Sequence, residues 1–112
     1  MVWQKAHQLT LELYVVTKSF PEDERFGLTA QIRRCASSVG ANIAEGSARK
    51  SAKDFGRFLR IAFGSASELE NHLLLAADLE YISKGRHAEC EAAVMQVKRM
   101  LTGLSRRLMA DG

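Results

Sequence analysis

Apolar residues recur along this chain with the spacing of an α-helix in four separate segments. In the first segment Ala6, Leu9, Leu13 and Val16 follow one another at intervals of three and four, which places them on one helical face. The four predicted helices span about residues 2–19, 28–46, 52–82 and 84–109. No segment alternates with a period of two for long enough to predict a strand, so the pattern indicates an all-α fold.

The residues between these segments are typical of short connections. Pro21 ends the first segment, and Gly46 is a predicted stop for the second. Ser51 is the expected N-cap of the third helix, with Asp54 three residues later in a capping-box-like pattern. Short connections make consecutive helices antiparallel, and the prediction is therefore an up-down four-helix bundle.

The length, cysteines and charge pattern fit one compact domain, predicted over residues 1–112. Cys35 and Cys90 lie on apolar helical faces and are expected in the core, since two cysteines make no disulfide framework. The longest stretch without a charged residue is 35–44, too short to cross a membrane. No secretory signal is apparent, so a cytoplasmic location is expected.

The third segment carries more apolar residues than one buried face needs. The consecutive residues Leu73 to Ala77 surround most of a helix, and Trp3 and Tyr14 form part of a second apolar stripe on the first helix. This surplus favours self-association into a homo-oligomer. The alternative is a broad intramolecular core with a few exposed leucines, which is ordinary on protein surfaces.

The sequence contains no pattern that predicts an enzyme, a cofactor or a metal site. The Glu-x-x-His pairs of di-iron bundles and the glycine motifs of nucleotide cradles are both missing from it. Glu68 with His72, and His87 with Cys90, share helical spacings but are each interpreted as an ordinary helical pair, because a closed metal site needs more ligands. A non-catalytic protein is therefore predicted, with no catalytic, cofactor-binding or metal-ligating residue.

Several polar residues nevertheless lie on or beside the apolar faces of the second and third helices. They are Ser38, Asn42, Glu45, Arg57, Ser65 and Glu68. Buried polar groups must be paired, so a network between helices that fixes their register is favoured for Ser38, Asn42, Glu45, Ser65 and Glu68. A catalytic carboxylate pair formed by Glu45 and Glu68 is the alternative, and no accompanying motif supports it.

The sixteen Lys and Arg residues, against thirteen Asp and Glu, are distributed unevenly. The start of the third helix and its neighbours hold Arg33, Arg34, Arg49, Lys50, Lys53, Arg57 and Arg60, and a second group comprises Lys98, Arg99, Arg106 and Arg107. Such a stripe could contact phosphates without reading sequence. A solvated face balanced by carboxylates such as Asp54 is an equally supported interpretation on charge alone. Oligomerisation would favour binding, since it repeats the patch.

Much of the chain resembles the bacterial four helix bundle proteins, which include proteins encoded in intervening sequences of 23S ribosomal RNA genes. The residues that carry the resemblance are Trp3-Gln4-Lys5-Ala6, Phe20-Pro21, Ser38 to Gly46, Arg49-Lys50-Ser51, Phe55, Arg57 to Ala62, Gly64-Ser65 and Glu68-Leu69. The Asn-Ile-Ala-Glu-Gly block at 42–46 is the specific part. The chain is also similar to the accessory variability proteins of diversity-generating retroelements.

The resemblance implies an up-down bundle that assembles into a ring, commonly a pentamer. For the retroelement relatives it implies a basic barrel that engages a reverse transcriptase and nucleic acid. This chain has Gly40 where the family often has proline, so any kink in the second helix would depend here on glycine.

Two functional hypotheses follow from the sequence, and a small-molecule or metal-dependent enzyme is a third, less favoured class, because the interior of a bundle can hold a site that the sequence does not announce. The first is a homo-oligomeric accessory protein that binds RNA, DNA or a nucleoprotein partner through its basic residues. The second is a structural scaffold or protein-interaction ring that binds no nucleic acid and uses an apolar groove for a partner helix.

Overall fold

The computed structural model describes residues 1–111, and residue 112, the last of the predicted domain, lies outside the described residues. Four α-helices account for most of this range: α1 (Val2–Thr17), α2 (Leu28–Ser47), α3 (Ala52–Asp78) and α4 (Lys84–Asp111). A single 3-10 turn, Glu22–Glu24, lies between α1 and α2. Residues 1–111 contain no strand, which confirms the all-α prediction.

The two ends of α3 are set by different local signals. At its start the Ser51 hydroxyl accepts a hydrogen bond from the Asp54 amide at 3.1 Å, as the capping pattern predicts. At its end Glu80 adopts a left-handed φ of 65°, and the Tyr81 amide donates back to the Ala76 carbonyl at 2.9 Å. The predicted end at residue 82 is therefore wrong by four residues, because a non-glycine residue supplies the left-handed turn.

Side-chain contacts fix the antiparallel order of the helices. Arg33 of α2 donates through Nε to the Thr17 hydroxyl at 2.8 Å, which joins the end of α1 to the first half of α2. The next pair, α2 and α3, is joined by the hydroxyls of Ser38 and Ser65, 2.9 Å apart. Lys98 of α4 then contacts Glu70 of α3 at 2.8 Å. A second contact in each pair gives the direction: Trp3 lies against Gly40, Arg34 pairs with Glu68, and Lys53 and Leu108 line one groove. Residue numbers therefore fall along one helix as they rise along the next, and each helix runs opposite to the one before it.

The apolar stripes of all four helices meet in one core. Leu13, Ile32, Leu69 and Val94 represent α1 to α4 there, each with no exposed surface. Both cysteines are buried and free, in agreement with the prediction from their positions. Burial of aliphatic side chains supplies the main favourable free energy of such a fold, at roughly 25 cal/mol for each Å² of apolar surface removed from water.

Gly46 has a different role from the one its position suggested. It has no left-handed φ, and α2 continues one residue past it to Ser47. It is buried, and a Cβ atom placed on it would lie 2.7 Å from Cβ of Phe58. The glycine therefore permits close approach of α2 and α3 and does not itself turn the chain. Helix α2 is likewise unbroken at Gly40, where Trp3 of α1 packs against the backbone.

The molecule is elongated, with principal extents of 46 × 24 × 19 Å. Its radius of gyration is 14.6 Å, against about 13 Å for an average globular chain of this length. The helices are unequal, since α1 has 16 residues and α3 and α4 have 27 and 28. Because Trp3 at the start of α1 lies at the level of Gly40, α1 leaves the last turns of α2 and the adjoining ends of α3 and α4 uncovered.

Large apolar side chains are exposed on α1 and α3, in addition to Met95 and Met109 on α4. On α1, Leu11 and Val15 retain 55% and 61% of their surface, and on α3 Leu74 and Leu75 retain 50% and 45%. The described helices include none long and apolar enough to span a bilayer. The apolar surplus expected in α3 is therefore present at the surface, where a contact with another molecule could bury it.

Candidate nucleic-acid interface

A cluster of cations surrounds the first turns of α3, at the end of the molecule that α1 leaves uncovered. We call this cluster the basic face. It consists of Arg49, Lys50, Lys53, Arg57 and Arg60. All five side chains are exposed, because the apolar positions of this segment point toward α2 and α4 while the intervening positions point outward.

Two arginines of the basic face converge on one aromatic ring. The guanidinium carbons of Arg49 and Arg57 lie 4.8 and 4.5 Å from the centre of the Phe58 ring. Arg49 also contacts Glu45 at 2.9 Å, one turn earlier in the chain. Stacking on Phe58 restricts both guanidinium groups, so less conformational freedom remains to be lost when they bind an anion.

The four cations of the basic face other than Arg49 have no carboxylate partner among the described residues. Among the described side chains, no carboxylate lies within 4.0 Å of a charged nitrogen of Lys50, Lys53, Arg57 or Arg60. Asp54 belongs to the same turn but forms no ion pair with them. Four of the five cations therefore make no direct contact with a described carboxylate, and the interpretation of the stripe as a solvated face stays open beside that of a phosphate-binding face.

A groove between α3 and α4 adjoins the basic face. It has a volume of about 430 Å³, and its walls include Gly56 of α3 and Leu108 of α4. Lys53 and Arg60 line one side, and Arg106 lines the continuation of the groove along α4. The second basic group of the sequence is thus divided, since Arg106 joins this groove while Lys98 pairs with Glu70.

Arg33 and Arg34, grouped with these cations on sequence grounds, lie outside the basic face. Arg33 is half-buried between α1 and α2, where it bonds to the Thr17 hydroxyl and stacks 4.5 Å from the Tyr14 ring centre. Arg34 pairs with Glu68 of α3 at 2.9 Å. Both arginines therefore connect helices. The reason is geometric, because α2 and α3 are antiparallel and residues 33 and 34 lie about 20 Å along α2 from the start of α3.

The predicted polar network is smaller than the sequence suggested. Ser38 bonds to Ser65 across α2 and α3, and the Asn42 amide donates to the Ser38 carbonyl at 2.8 Å and its hydroxyl at 3.1 Å. Glu45 lies outside this group, on the surface beside Arg49. Glu68 lies apart from Ser38 and Ser65 but also joins α2 and α3, through its ion pair with Arg34 at 2.9 Å. Glu45 is therefore the predicted member whose observed partner, Arg49, is a near neighbour in the chain and not a residue of another helix.

A second group of polar side chains, which we call the Cys35 cluster, lies between α2 and α3. It comprises Cys35, Glu68 and His72, whose possible ligand atoms all lie within 4.8 Å of one another. Burial, reinforced by Glu68, raises the pKa of the Cys35 thiol to about 12. Interactions with the Cys35 thiol, His72 and Arg34 lower the pKa of the Glu68 carboxyl.

Only two of the three residues of the Cys35 cluster, Glu68 and His72, have a spacing that brings them together within one helix. The spacing of Glu68 and His72 was visible, and the two residues are in contact at 3.2 Å. Cys35 belongs to α2, where it is one of the residues of the apolar stripe. Only the register of α2 against α3 brings its thiol close to Glu68 and His72. The pair His87 and Cys90 joins no comparable group among the described residues.

Comparison with known proteins identifies relatives of nearly the whole chain. The family model described as 23S rRNA-intervening sequence protein matches residues 1–103. A crystal structure from Bacteroides thetaiotaomicron VPI-5482, described as a protein with unknown function from the S23 ribosomal protein family, superposes with a TM-score of 0.87. The two chains are 27% identical, and the match covers 94% of this chain and 98% of that one. No curated protein matches the sequence.

Proposed function

The chain belongs to the 23S rRNA-intervening sequence protein family, and on that premise we propose that it is a non-catalytic accessory protein that binds nucleic acid through its basic face. The observation that carries the proposal is the set of four exposed cations, Lys50, Lys53, Arg57 and Arg60, none of which has a described carboxylate within 4.0 Å. Phosphates are the ligands that such a set attracts, because each contact releases a condensed counterion.

The shape of the surface supports the same proposal. Lys53 and Arg60 are two helical turns apart, about 10 Å along α3, and both adjoin the groove between α3 and α4. A flexible single strand can follow such a line of charge while the apolar wall of the groove contacts a base. Contacts to phosphate carry no sequence information, so binding with little sequence preference is expected.

The test is binding of a fluorescent single-stranded RNA and a matched DNA across a salt series. The wild-type affinity should fall steeply with salt, with a slope of log K on log salt of roughly −0.7 for each phosphate contacted. Replacing Lys53, Arg57 and Arg60 together with Glu should abolish binding and leave the helical circular dichroism unchanged. Salt-independent binding, or no binding at low salt, would overturn the proposal.

A charge-matched variant separates the basic face from net charge. Lys18, Arg25 and Lys84 are exposed at the opposite end of the molecule. Their joint replacement with Glu changes the net charge by the same amount, and this variant should retain most of the wild-type affinity. Equal loss in both variants would show that only the overall charge matters.

A second candidate function is a self-associating scaffold that binds no nucleic acid. It is favoured by the exposed apolar residues Leu11 and Val15 of α1 and Leu74 and Leu75 of α3. We propose that these surfaces join copies of the chain into a homo-oligomer, in which the basic face would be repeated. Light scattering should find a mass of several chains, and L74E/L75E should lower it. Purification with a protein partner and no nucleic acid would select the scaffold.

A further inference from the structure

We propose that the Cys35 cluster is a binding site for a zinc ion, with Cys35, Glu68 and His72 as its protein ligands. The three residues supply a thiolate, a carboxylate and an imidazole, which are the three ligand types that Zn²⁺ takes in proteins. A site with three protein ligands leaves a fourth position for water. This inference does not depend on the proposed function, because the cluster lies apart from the basic face.

The three ligand side chains need little movement to accept the ion, although Arg34 has to leave Glu68. Zinc bonds of about 2.0–2.3 Å in a tetrahedral site place ligand atoms roughly 3.2–3.8 Å apart. Glu68 and His72 are 3.2 Å apart across one turn of α3, and all three possible ligand atoms lie within 4.8 Å of one another. The thiol therefore has to approach the other two by no more than about 1.5 Å.

Zinc would bind through Nε2 of His72, the ring nitrogen that contacts the Glu68 carboxylate. Glu68 can only accept, so in the neutral ring Nε2 carries the proton that it shares with Glu68. On binding, the ion takes the place of that proton and Nδ1 holds the ring proton, which is the tautomer of an imidazole bound to metal through Nε2.

Charge and access are both compatible with zinc. On binding, the Cys35 thiol loses its proton to solvent and Glu68 is already ionised, so the two negative ligands balance the double charge of the ion. Cys35 is buried with 1% of its surface exposed, but the Glu68 side chain is 46% exposed. The ion therefore enters from the Glu68 side, where the fourth position faces water.

Arg34 is the residue that opposes the ion. Its Nη2 atom lies 2.9 Å from the Glu68 oxygen that also contacts His72, and 3.9 Å from the Cys35 sulfur. The positive charge of Arg34 repels a second cation, and its hydrogen bond occupies the Glu68 oxygen that zinc would need. Gln31, which Arg34 also contacts, offers it an alternative partner when zinc binds. Replacing Arg34 with Gln should therefore tighten zinc binding, by about tenfold.

The test is a calorimetric titration of the purified, metal-free full chain with Zn²⁺. Elemental analysis of the titrated protein then counts the bound ions. One ion per chain is expected, with release of a proton. Co²⁺ in the same site should give the strong visible absorption of a tetrahedral ion and a thiolate-to-cobalt charge-transfer band. C35A and H72Q should each weaken Zn²⁺ binding by more than about tenfold. With Co²⁺, C35A should abolish the charge-transfer band, and H72Q should shift the visible absorption.

Matched controls use the other buried cysteine and another histidine. Cys90 is buried and His87 is half-buried, and neither belongs to the cluster. C90A and H87Q should bind zinc as the wild type does. Helical circular dichroism of each variant shows whether it has folded. The proposal is overturned if the wild type takes up no zinc, if C35A and H72Q bind as well as C90A, or if R34Q binds more weakly than the wild type.

Discussion

Gly46 of α2 lies directly against Phe58 of α3, so closely that a Cβ atom on the glycine would stand 2.7 Å from Cβ of the phenylalanine. The Phe55 ring closes the same space at 2.9 Å. The Cβ of Phe58 moves only with the backbone of α3. A side chain at position 46 would therefore have to push the two helices apart, immediately beside the basic face.

We expect Gly46→Ala to destabilise the protein by about 1–2 kcal/mol. Overpacking of this kind costs about 1–3 kcal/mol, and the better helix propensity of alanine returns less than about 1 kcal/mol. Urea unfolding at fixed protein concentration measures the change. Gly64 is the matched control, since a Cβ atom there meets nothing within 4 Å. Gly64→Ala should stabilise by about 0.4–1 kcal/mol. A neutral or stabilising Gly46→Ala would contradict the close contact.

The Ser38 and Ser65 hydroxyls should show coupled effects on stability. Ser38→Ala removes the partner of Ser65 and one acceptor of Asn42, so a loss of about 1–2 kcal/mol is expected. Ser65→Ala leaves Ser38 bonded to Asn42 and should cost less, about 0.5–1 kcal/mol. The double variant should lose less than the two single losses added together. Additive losses would mean that the hydroxyls do not interact.

Arg33 should act on stability and not on nucleic-acid binding. Arg33→Ala loses the bond to the Thr17 hydroxyl at 2.8 Å and the stacking on Tyr14, and a loss of about 1–2 kcal/mol is expected. Arg34→Ala is the control, because the Arg34–Glu68 pair is about half exposed and such pairs contribute about 0–1 kcal/mol. If Arg33→Ala weakened RNA binding at full stability, Arg33 would belong to the interface.

Tyr81 should make part of the stability depend on alkaline pH. Its hydroxyl donates to Glu24 at 3.0 Å, and this bond raises the pKa of Tyr81 above its ordinary value of 10.0. The folded protein thus holds the phenolic proton more tightly than the unfolded chain does. The contribution is complete below pH 10 and is lost as the pH rises through the raised pKa. Thermal melts from about pH 9 to 11 should show the wild type and Y81F converging, and a constant gap would contradict this.

The helices and their buried faces could be predicted from the sequence, because periodicity reports directly which side of a helix is apolar. The Ser51 cap could also be predicted, because the capping signal lies within four consecutive residues. The end of α3 could not, because Glu80 adopts a left-handed conformation that glycine usually supplies. No local pattern distinguishes this glutamate from its helical neighbours.

The candidate sites could be predicted only in part. The clustering of Lys53, Arg57 and Arg60 could be predicted, because it follows from helical spacing alone. The separate roles of Arg33 and Arg34 depend on which residues of α1 and α3 face them, and that is decided by the register between helices. The approach of Cys35 to Glu68 and His72 has the same origin.

The chain is 46 Å long and about half as wide, and this elongated shape affects how the number of subunits is measured. A rod experiences more frictional drag than a sphere of equal mass, so one chain would elute from a sizing column earlier than its 12.4 kDa mass implies. An early peak alone would therefore imitate association that has not occurred.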